Sequence, residues 1–376
     1  MKIFLSFLQG NLNYPVPAYS FWQHYIKNGI EEAGDDWDEC ADADWAYGLL
    51  PLSKKERIKW SDETWGKTVE YLKKNPPDLF LSYLYPNQID LNAINEIKKA
   101  GIPCVNFFCD NYREFSRIPT TFGLFDLNWV PEYNSIPDYN RAGFNSIHLP
   151  MPMWIDPLYR NLNLNEYPQI TFIGSPDQQR IKFFNQVAPK IEALKIYGHG
   201  WLNTKNLNPQ VNSLFNKGLN QISFINKHGV RSFYEKMIRN KSSVEINEAL
   251  SAKIQGSVNF DEYLDLSRNS LVTLGVNSFP SFRFPFHKPG KYSRLRDIEA
   301  PMLGACYLTE WAEGLDQLYH IDQEIVCYSC PEDLTVQLER LKKDKTFRLN
   351  LRKNGQRRAL SDHSIPNSLK LLKRNL

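Results

Sequence analysis

Apolar residues in the first third of the chain fall into short runs separated by stretches with helical spacing. Lys2–Leu8 is such a run, and a 3.6-residue period then takes over in Ala18–Ala33. A helical stretch around Glu63–Lys74 leads to the run Pro77–Leu84, a further helix over Leu91–Ala100 stops on Gly101, and Ile102–Phe108 is apolar again. Leu124–Val130 and Ser146–Leu149 close the series. Strands alternating with helices predict a parallel sheet, because parallel neighbours need a crossover that a helix supplies. Pro150, Pro152 and Pro157 then break the pattern, and the polar stretch Asn161–Tyr167 reads as a linker.

The theme restarts at Gln169–Gly174, a run ending in a turn, with a helix expected from Gln178 to Leu194 and a strand at Lys195–Tyr197. Residues 202–254 are polar and Asn-rich, with a helix expected at Val230–Asn240, and form an elaboration outside the alternation. Order returns with a helix near Phe260–Arg268, a strand at Leu271–Val276 and a loop through Pro280, Pro285 and Pro289. A short helix at Asp297–Leu303, a strand at Ala305–Thr309 and helices at Pro331–Lys342 and Thr346–Leu360 follow. The expectation is an α/β chain of two Rossmann-like domains, 1–160 and 161–355, with a terminal segment 356–376 that lacks apolar content for a core of its own.

Composition narrows the class. A chain of 376 residues exceeds what one core usually serves, and 42% hydrophobic with 23% charged residues is that of a folded protein. The net charge of +3 is not gathered into a basic stripe, which argues against nucleic acid as a partner. The apolar start is followed by Gln9-Gly10-Asn11 without a small-residue cleavage site, so it reads as a first strand rather than a signal peptide. No run of about 18 uncharged apolar residues occurs. The expected location is the cytoplasm, and peripheral contact with the inner membrane surface is compatible with it. Cys40, Cys104, Cys109, Cys306, Cys327 and Cys330 read as reduced thiols, and the lone Cys327-x-x-Cys330 pair lacks the second pair that zinc would need.

Four constellations could carry chemistry. Gly174-Ser175 ends a strand and precedes a helix bearing Arg180; glycine admits an anion to the backbone, a helix start offers N–H groups, and Arg adds a charged donor. A tight turn is the plain alternative. Gly198-His199-Gly200-Trp201 ends the next strand, with Trp201 either stacking on a ligand ring or filling the core. In Arg294–Ala305, Pro301 places Glu299 at or just before a helix start and Gly304 closes that helix; Glu299 is a shielded ligand-binding carboxylate or merely a dipole-balanced partner of Arg296. Asp110 ends a strand of the first half, as a general base or as a cap.

At these residues the chain resembles the CgeB-like glycosyltransferases, whose C-terminal half is similar to the family-one glycosyltransferases. The matching pieces are Phe172–Ser175 with Arg180, Ile196–Trp201, Phe260–Leu264 with Ser270–Leu274, Arg296–Ala300 with Gly304–Glu310, Glu324–Tyr328, and Gly355–Arg358 with His363. The resemblance covers roughly residues 168–365 and reaches the first half through Pro77-Asp78-Leu79, Gly101-Ile102-Pro103 and Asp110.

This resemblance implies a GT-B fold: two Rossmann-like domains with parallel sheets facing a central cleft, and a C-terminal helix crossing back to the first domain. It implies a nucleotide-diphosphate sugar as donor, held by Gly174, Ser175, Arg180, Gly198, His199, Trp201, Lys291, Arg294, Arg296, Glu299 and Ala300, with Glu299 on the ribose hydroxyls. A glycan or other hydroxyl compound would be the acceptor. Two positions depart from the retaining relatives: Ser175 replaces an Arg, and Lys291 stands eight positions before Glu299 where they carry a second Glu. Lys288, Lys291, Arg294 and Arg296 could supply positive charge to a departing diphosphate, so neither metal nor cofactor is expected. Asp36-Trp37-Asp38 and Asp42-Ala43-Asp44 have metal-binding spacing, yet read as an exposed acidic loop. A nucleotide-sugar epimerase and a non-catalytic glycan- or partner-binding module are the competing readings.

Overall fold

The computed structural model describes residues 1–10, 12, 14, 18–163, 165–202, 244–280 and 289–376. Most of the 202–254 elaboration, with its expected helix at Val230–Asn240, and Pro285 and Lys288 lie outside the described residues. The chain divides into two compact units. Unit 1 comprises Met1–Asp156, Ser293–Glu299 and Arg358–Leu376, and unit 2 comprises Pro157–Tyr292 and Ala300–Arg357. The expected linker, Asn161–Tyr167, therefore falls inside unit 2, where Tyr167 already opens a strand.

Unit 1 carries a six-stranded parallel sheet of β1 (Lys2–Ser6), β2 (Asp36–Asp38), β3 (Leu79–Ser82), β4 (Cys104–Phe107), β5 (Leu127–Val130) and β6 (Ser146–His148), in the order β2-β1-β3-β4-β5-β6. β3, β4 and β5 are buried at every position, as apolar runs covered on both faces should be. The Asp36–Asp38 triplet is not a loop: it pairs in parallel with β1, and Asp38 is held by Lys2 Nζ at 2.8 Å and by the Tyr71 hydroxyl at 2.8 Å. The helix expected at Glu63 starts a full turn and more earlier, at Lys54, because Ser53 and Glu56 form a reciprocal capping box. Its first turns bury almost nothing, which hides them from hydrophobic periodicity.

The last helix, Ile365–Asn375, belongs to unit 1. Ile365, Leu369 and Leu372, spaced four and three apart, are all buried. The Ala18–Glu32 helix meets it at Gly29, where an added Cβ would lie 2.6 Å from Ile365 Cβ, so only glycine permits the approach. Lys373 Nζ reaches Asp35 at 2.6 Å on the same side.

Unit 2 carries β7 (Tyr167–Ile173), β8 (Leu194–Tyr197), β9 (Ile254–Gly256), β10 (Ser270–Gly275), β11 (Tyr307–Glu310) and β12 (Val326–Tyr328) in the order β12-β11-β10-β7-β8-β9, all parallel. Two halves thus run outward from the β7–β10 pair, the doubly wound order whose connections diverge at one point. At the opposite edge, Glu166 just before β7 meets Arg348 Nη2 at 2.6 Å and Arg352 Nε at 3.4 Å. Arg352 also donates to the carbonyls of Arg268 at 2.7 Å and Ser270 at 2.5 Å, fastening the Lys345–Asp362 helix to the start of β10.

The helix near Glu299 spans Leu295–Met302, so Glu299 sits inside it rather than at its start. Pro301, the seventh of its eight residues, has no N–H to give to the Asp297 carbonyl, and the helix ends one residue later. Gly304 ends it at φ 77°, with Gly304 N donating to Pro301 O and Ala305 N to Ala300 O, the paired bonds of a Schellman motif.

Candidate functional site

An open α/β sheet binds ligands beyond the carboxyl ends of its strands, where the connections diverge. In unit 2 that point is marked by Gly174-Ser175 after β7 and Val276–Ser278 after β10. Gly198, ending β8 at φ 143°, packs so tightly that a Cβ there would lie 2.3 Å from the Gly174 carbonyl oxygen. The Trp201 indole N–H donates to the same oxygen at 2.7 Å. Trp201 is only 2% exposed and meets Phe184 edge-on at 6.0 Å, so of the two roles open to it, it fills the core and pins Gly174. His199, by contrast, is exposed between Gly198 and Gly200.

The Gln178–Val187 helix follows, and here the expectation of N–H groups open to an anion needs correction. Asp177 caps the helix: its Oδ1 accepts from Gln179 N and Arg180 N, both at 2.9 Å. Arg180 folds back so that Nη1 donates to the Ser175 carbonyl at 2.7 Å while Nε stands 3.4 Å from Asp177 Oδ2. Its guanidinium lies 5.6 Å from the Phe172 ring centroid. Ser175 itself is exposed. Gly174, Ser175, Arg180, Gly198, His199 and Trp201 therefore do come together at the ends of β7 and β8.

Beside them a cavity of about 180 Å³ opens between this helix and the end of β10. Phe183, Val276 and Pro289 form apolar walls, and Arg180, Lys182 and Glu310 supply charge. That volume suits a ring or a phosphate group rather than a whole nucleotide sugar. Glu310, at the end of β11, organises the polar side. It accepts from Asn277 N at 3.1 Å, Ser278 N at 2.8 Å and Ser278 Oγ at 2.8 Å, and pairs with Lys291 Nζ at 2.8 Å. Sequence reasoning gave Glu310 no role, although a carboxylate closing a buried strand was the available signal. Lys291, expected to offer free positive charge, is thus committed to Glu310.

Arg294, Arg296 and Glu299 belong to unit 1, whereas the next residue, Ala300, is buried in unit 2. Glu299 is 2% exposed and accepts from the Tyr25 hydroxyl at 2.8 Å. Asp297, fully buried, accepts from Arg294 N at 2.8 Å and fixes the start of the helix. At the carboxyl edge of unit 1's sheet, Asp110 follows β4 with a left-handed backbone, φ 69° and ψ 18°, and makes no side-chain cap bond. The cap role is therefore not what holds it. Near it the sequence reading missed Glu132, a fully buried carboxyl that burial pushes up to about 8.

Among the described residues, no group of three or more His, Cys, Asp and Glu side chains is placed to hold a metal ion. Asp42 and Asp44 line a separate cavity of about 520 Å³ in unit 1 together with Tyr14, Tyr47 and Trp60. Asp44 is already bonded to the Tyr14 hydroxyl at 2.7 Å and to Tyr47 N at 3.1 Å. No described helix is long and apolar enough to cross a membrane.

Solved structures share this architecture over essentially the whole chain. Sucrose-phosphate synthase (tll1590) from Thermosynechococcus elongatus aligns with a TM-score of 0.57 at 13% identity, covering 99% of this chain and 98% of that one. Anabaena Alr3699/HepE in complex with UDP-glucose gives 0.57 at 12% identity, covering 100% of both. A glycosyltransferase from Rickettsia africae ESF-5 gives 0.60 at 9% identity, covering 100% and 97%. At such identities the likeness shows the fold alone. Among curated proteins, none matches the sequence. The family model described as glycosyl transferase-like matches residues 179–373, just over half of the chain. With two parallel six-stranded α/β sheets of this order, the chain has the GT-B fold and belongs to the glycosyl transferase-like family.

Proposed function

We propose that this protein transfers a sugar from a nucleotide-diphosphate sugar to a hydroxyl on a glycan, lipid-linked or small-molecule acceptor, with unit 2 holding the donor. The observation that carries the reading is the cavity edged by Arg180 and Lys182 at the divergence point of unit 2's sheet, beside the glycine-built turn of Gly174 and Gly198. The UDP and UDP-glucose held by Anabaena Alr3699/HepE are ligands of that protein, and they suggest the donor class. The ordered motif pieces favour a CgeB-like position within the family.

In the transfer, the acceptor oxygen bonds to the anomeric carbon, the bond from that carbon to the diphosphate breaks, and the acceptor proton passes to a base, for which Asp110 is our candidate. Charge grows on the diphosphate as it leaves, and cationic side chains in a water-poor site stabilise it without a metal. Arg180 and Lys182, which line the cavity, are our candidates for this; Lys291 acts indirectly, by holding Glu310 and through it the Asn277-Ser278 turn. The resemblance to the family-one glycosyltransferases assigns Glu299 to the ribose hydroxyls. The six free cysteines accord with a cytoplasmic location.

Titration calorimetry with a panel of nucleoside diphosphates tests the donor site, and a product assay tests the reaction. We expect at least one diphosphate to bind, and Arg180→Ala to weaken it by about 1–3 kcal/mol through loss of a charged hydrogen bond. Silence across the panel, or unchanged affinity in the variant, overturns the site assignment. A new glycoside with free nucleoside diphosphate means transfer; an isomerised donor means an epimerase instead.

A further inference from the structure

The carboxyl ends of β4, β5 and β6 gather ionisable groups that the donor site does not use. Asp110 adopts the left-handed conformation, which residues other than glycine visit rarely and which persists only where surrounding contacts over-determine it. Those contacts converge on the next residue, Asn111, itself 1% exposed. Its backbone N–H donates to Glu132 Oε1 at 2.8 Å, and its Nδ2 donates to Glu132 Oε2 at 2.9 Å and to the Phe108 carbonyl at 2.7 Å. Its Oδ1 accepts from the Tyr139 hydroxyl at 2.9 Å. Asp110 keeps 31% of its side chain exposed above this buried base.

We propose that Glu132, Asn111 and Tyr139 form a buried latch that holds the Asp110 carboxylate at the rim of unit 1 for the acceptor hydroxyl, which makes Glu132 a positioning residue for sugar transfer. This rests on the transfer reading above and assigns Glu132 no contact with substrate.

The latch has a pH limit. Asp110 and Cys109 face Glu132 from the end of β4, Tyr139 faces it from the Ile136–Ala142 helix, and His148 on β6 bonds to the carbonyl of neighbouring Pro131. Burial pushes the Glu132 carboxyl up to about 8; the donors of Asn111 oppose the rise and the charge of Asp110 adds to it. Below that value Glu132 keeps its proton and the latch is neutral. Above it a second negative charge appears beside Asp110 on a buried carboxyl, and the turn loosens.

The test compares wild type with Glu132→Ala and Glu132→Gln, following transfer from about pH 6 to pH 10 and nucleotide affinity in parallel. Glu132→Ala should lower kcat roughly 10- to 100-fold, the scale of a misplaced reacting group, with nucleotide affinity unchanged. Glu132→Gln, uncharged and able to keep one of the two Asn111 bonds through its amide oxygen, should recover part of the rate lost in Glu132→Ala and abolish the decline above about pH 8. Wild-type kcat in Glu132→Ala, or a persisting alkaline decline in Glu132→Gln, overturns the proposal. Should Glu132→Ala not fold, the amide resonances of Asp110 and Asn111 decide: a titration near pH 8 in wild type that Glu132→Gln lacks supports the latch, and its absence in wild type refutes it. If wild type binds nucleotide yet transfers no sugar, the transfer reading fails by itself, and the amide titration still settles whether the latch exists.

Discussion

Gly198→Ala should be a strongly damaging single-methyl change in unit 2. Gly198 lies at φ 143°, a conformation L residues rarely adopt, and a Cβ there would stand 2.3 Å from Gly174 O and 2.7 Å from Gly174 C. Both are backbone atoms, so the two strand ends must part by roughly 1 Å to reach ordinary non-bonded separation. Two costs add: about 1–3 kcal/mol of backbone strain and about 1–3 kcal/mol of overpacking. The parting also strains the Gly174 N to Tyr197 O bond of 2.9 Å and the Trp201 bond to Gly174 O of 2.7 Å. Gly200→Ala provides the control. At φ 96° it meets the conformational cost, but its Cβ would touch only the Pro176 ring, Cδ at 3.4 Å and Cγ at 3.5 Å. Urea unfolding should therefore show Gly198→Ala about 1–3 kcal/mol less stable than Gly200→Ala, and calorimetry should show weaker nucleoside diphosphate binding only in the former. Equal stability of the two variants, or undiminished affinity in Gly198→Ala, would refute the claim that Gly198 sets the position of Gly174.

Two further outcomes are expected. Because the folded state holds the Glu132 proton up to about pH 8 and the unfolded chain releases it near 4.5, the contribution of Glu132 to stability is complete below about 4.5 and lost as pH rises through 8. The slope is at most about −1.4 kcal/mol per pH unit, so urea midpoints of wild type and Glu132→Gln should diverge across that window; parallel curves would show that the carboxyl is ionised throughout. Arg352→Met removes a 1%-exposed guanidinium from the carbonyls of Arg268 and Ser270 and from Glu166, and should cost about 3–5 kcal/mol in urea unfolding. A loss below about 1 kcal/mol would mean that the Glu166–Arg348 pair alone fastens the helix.

Periodicity and punctuation made the alternation of strands and helices legible, and Gly101 and Gly304 ended helices where a left-handed residue is needed, at φ 81° and 77°. These are local properties, written in the order of apolar, polar and glycine positions, and the parallel sheets follow from them by chain connectivity. The three-residue strands β2, β9 and β12 escaped notice, whereas the equally short β6 did not; a segment that short carries less than two full alternations and owes its conformation to its neighbour in the sheet.

Tertiary structure decided the rest, since burial and through-space partners are properties of position. Trp201 could equally stack on a ligand or fill the core until packing set it against Phe184 and Gly174. Asp177 went unremarked in the sequence, yet its carboxylate takes two of the N–H groups that an anion was expected to use. Lys291 looked like available charge until Glu310, nineteen positions along, proved to hold it at 2.8 Å. Glu132 follows an apolar run and a proline with nothing local to mark it; only removal from water, with Asn111 on one side and Asp110 nearby, makes it a carboxyl that keeps its proton at neutral pH.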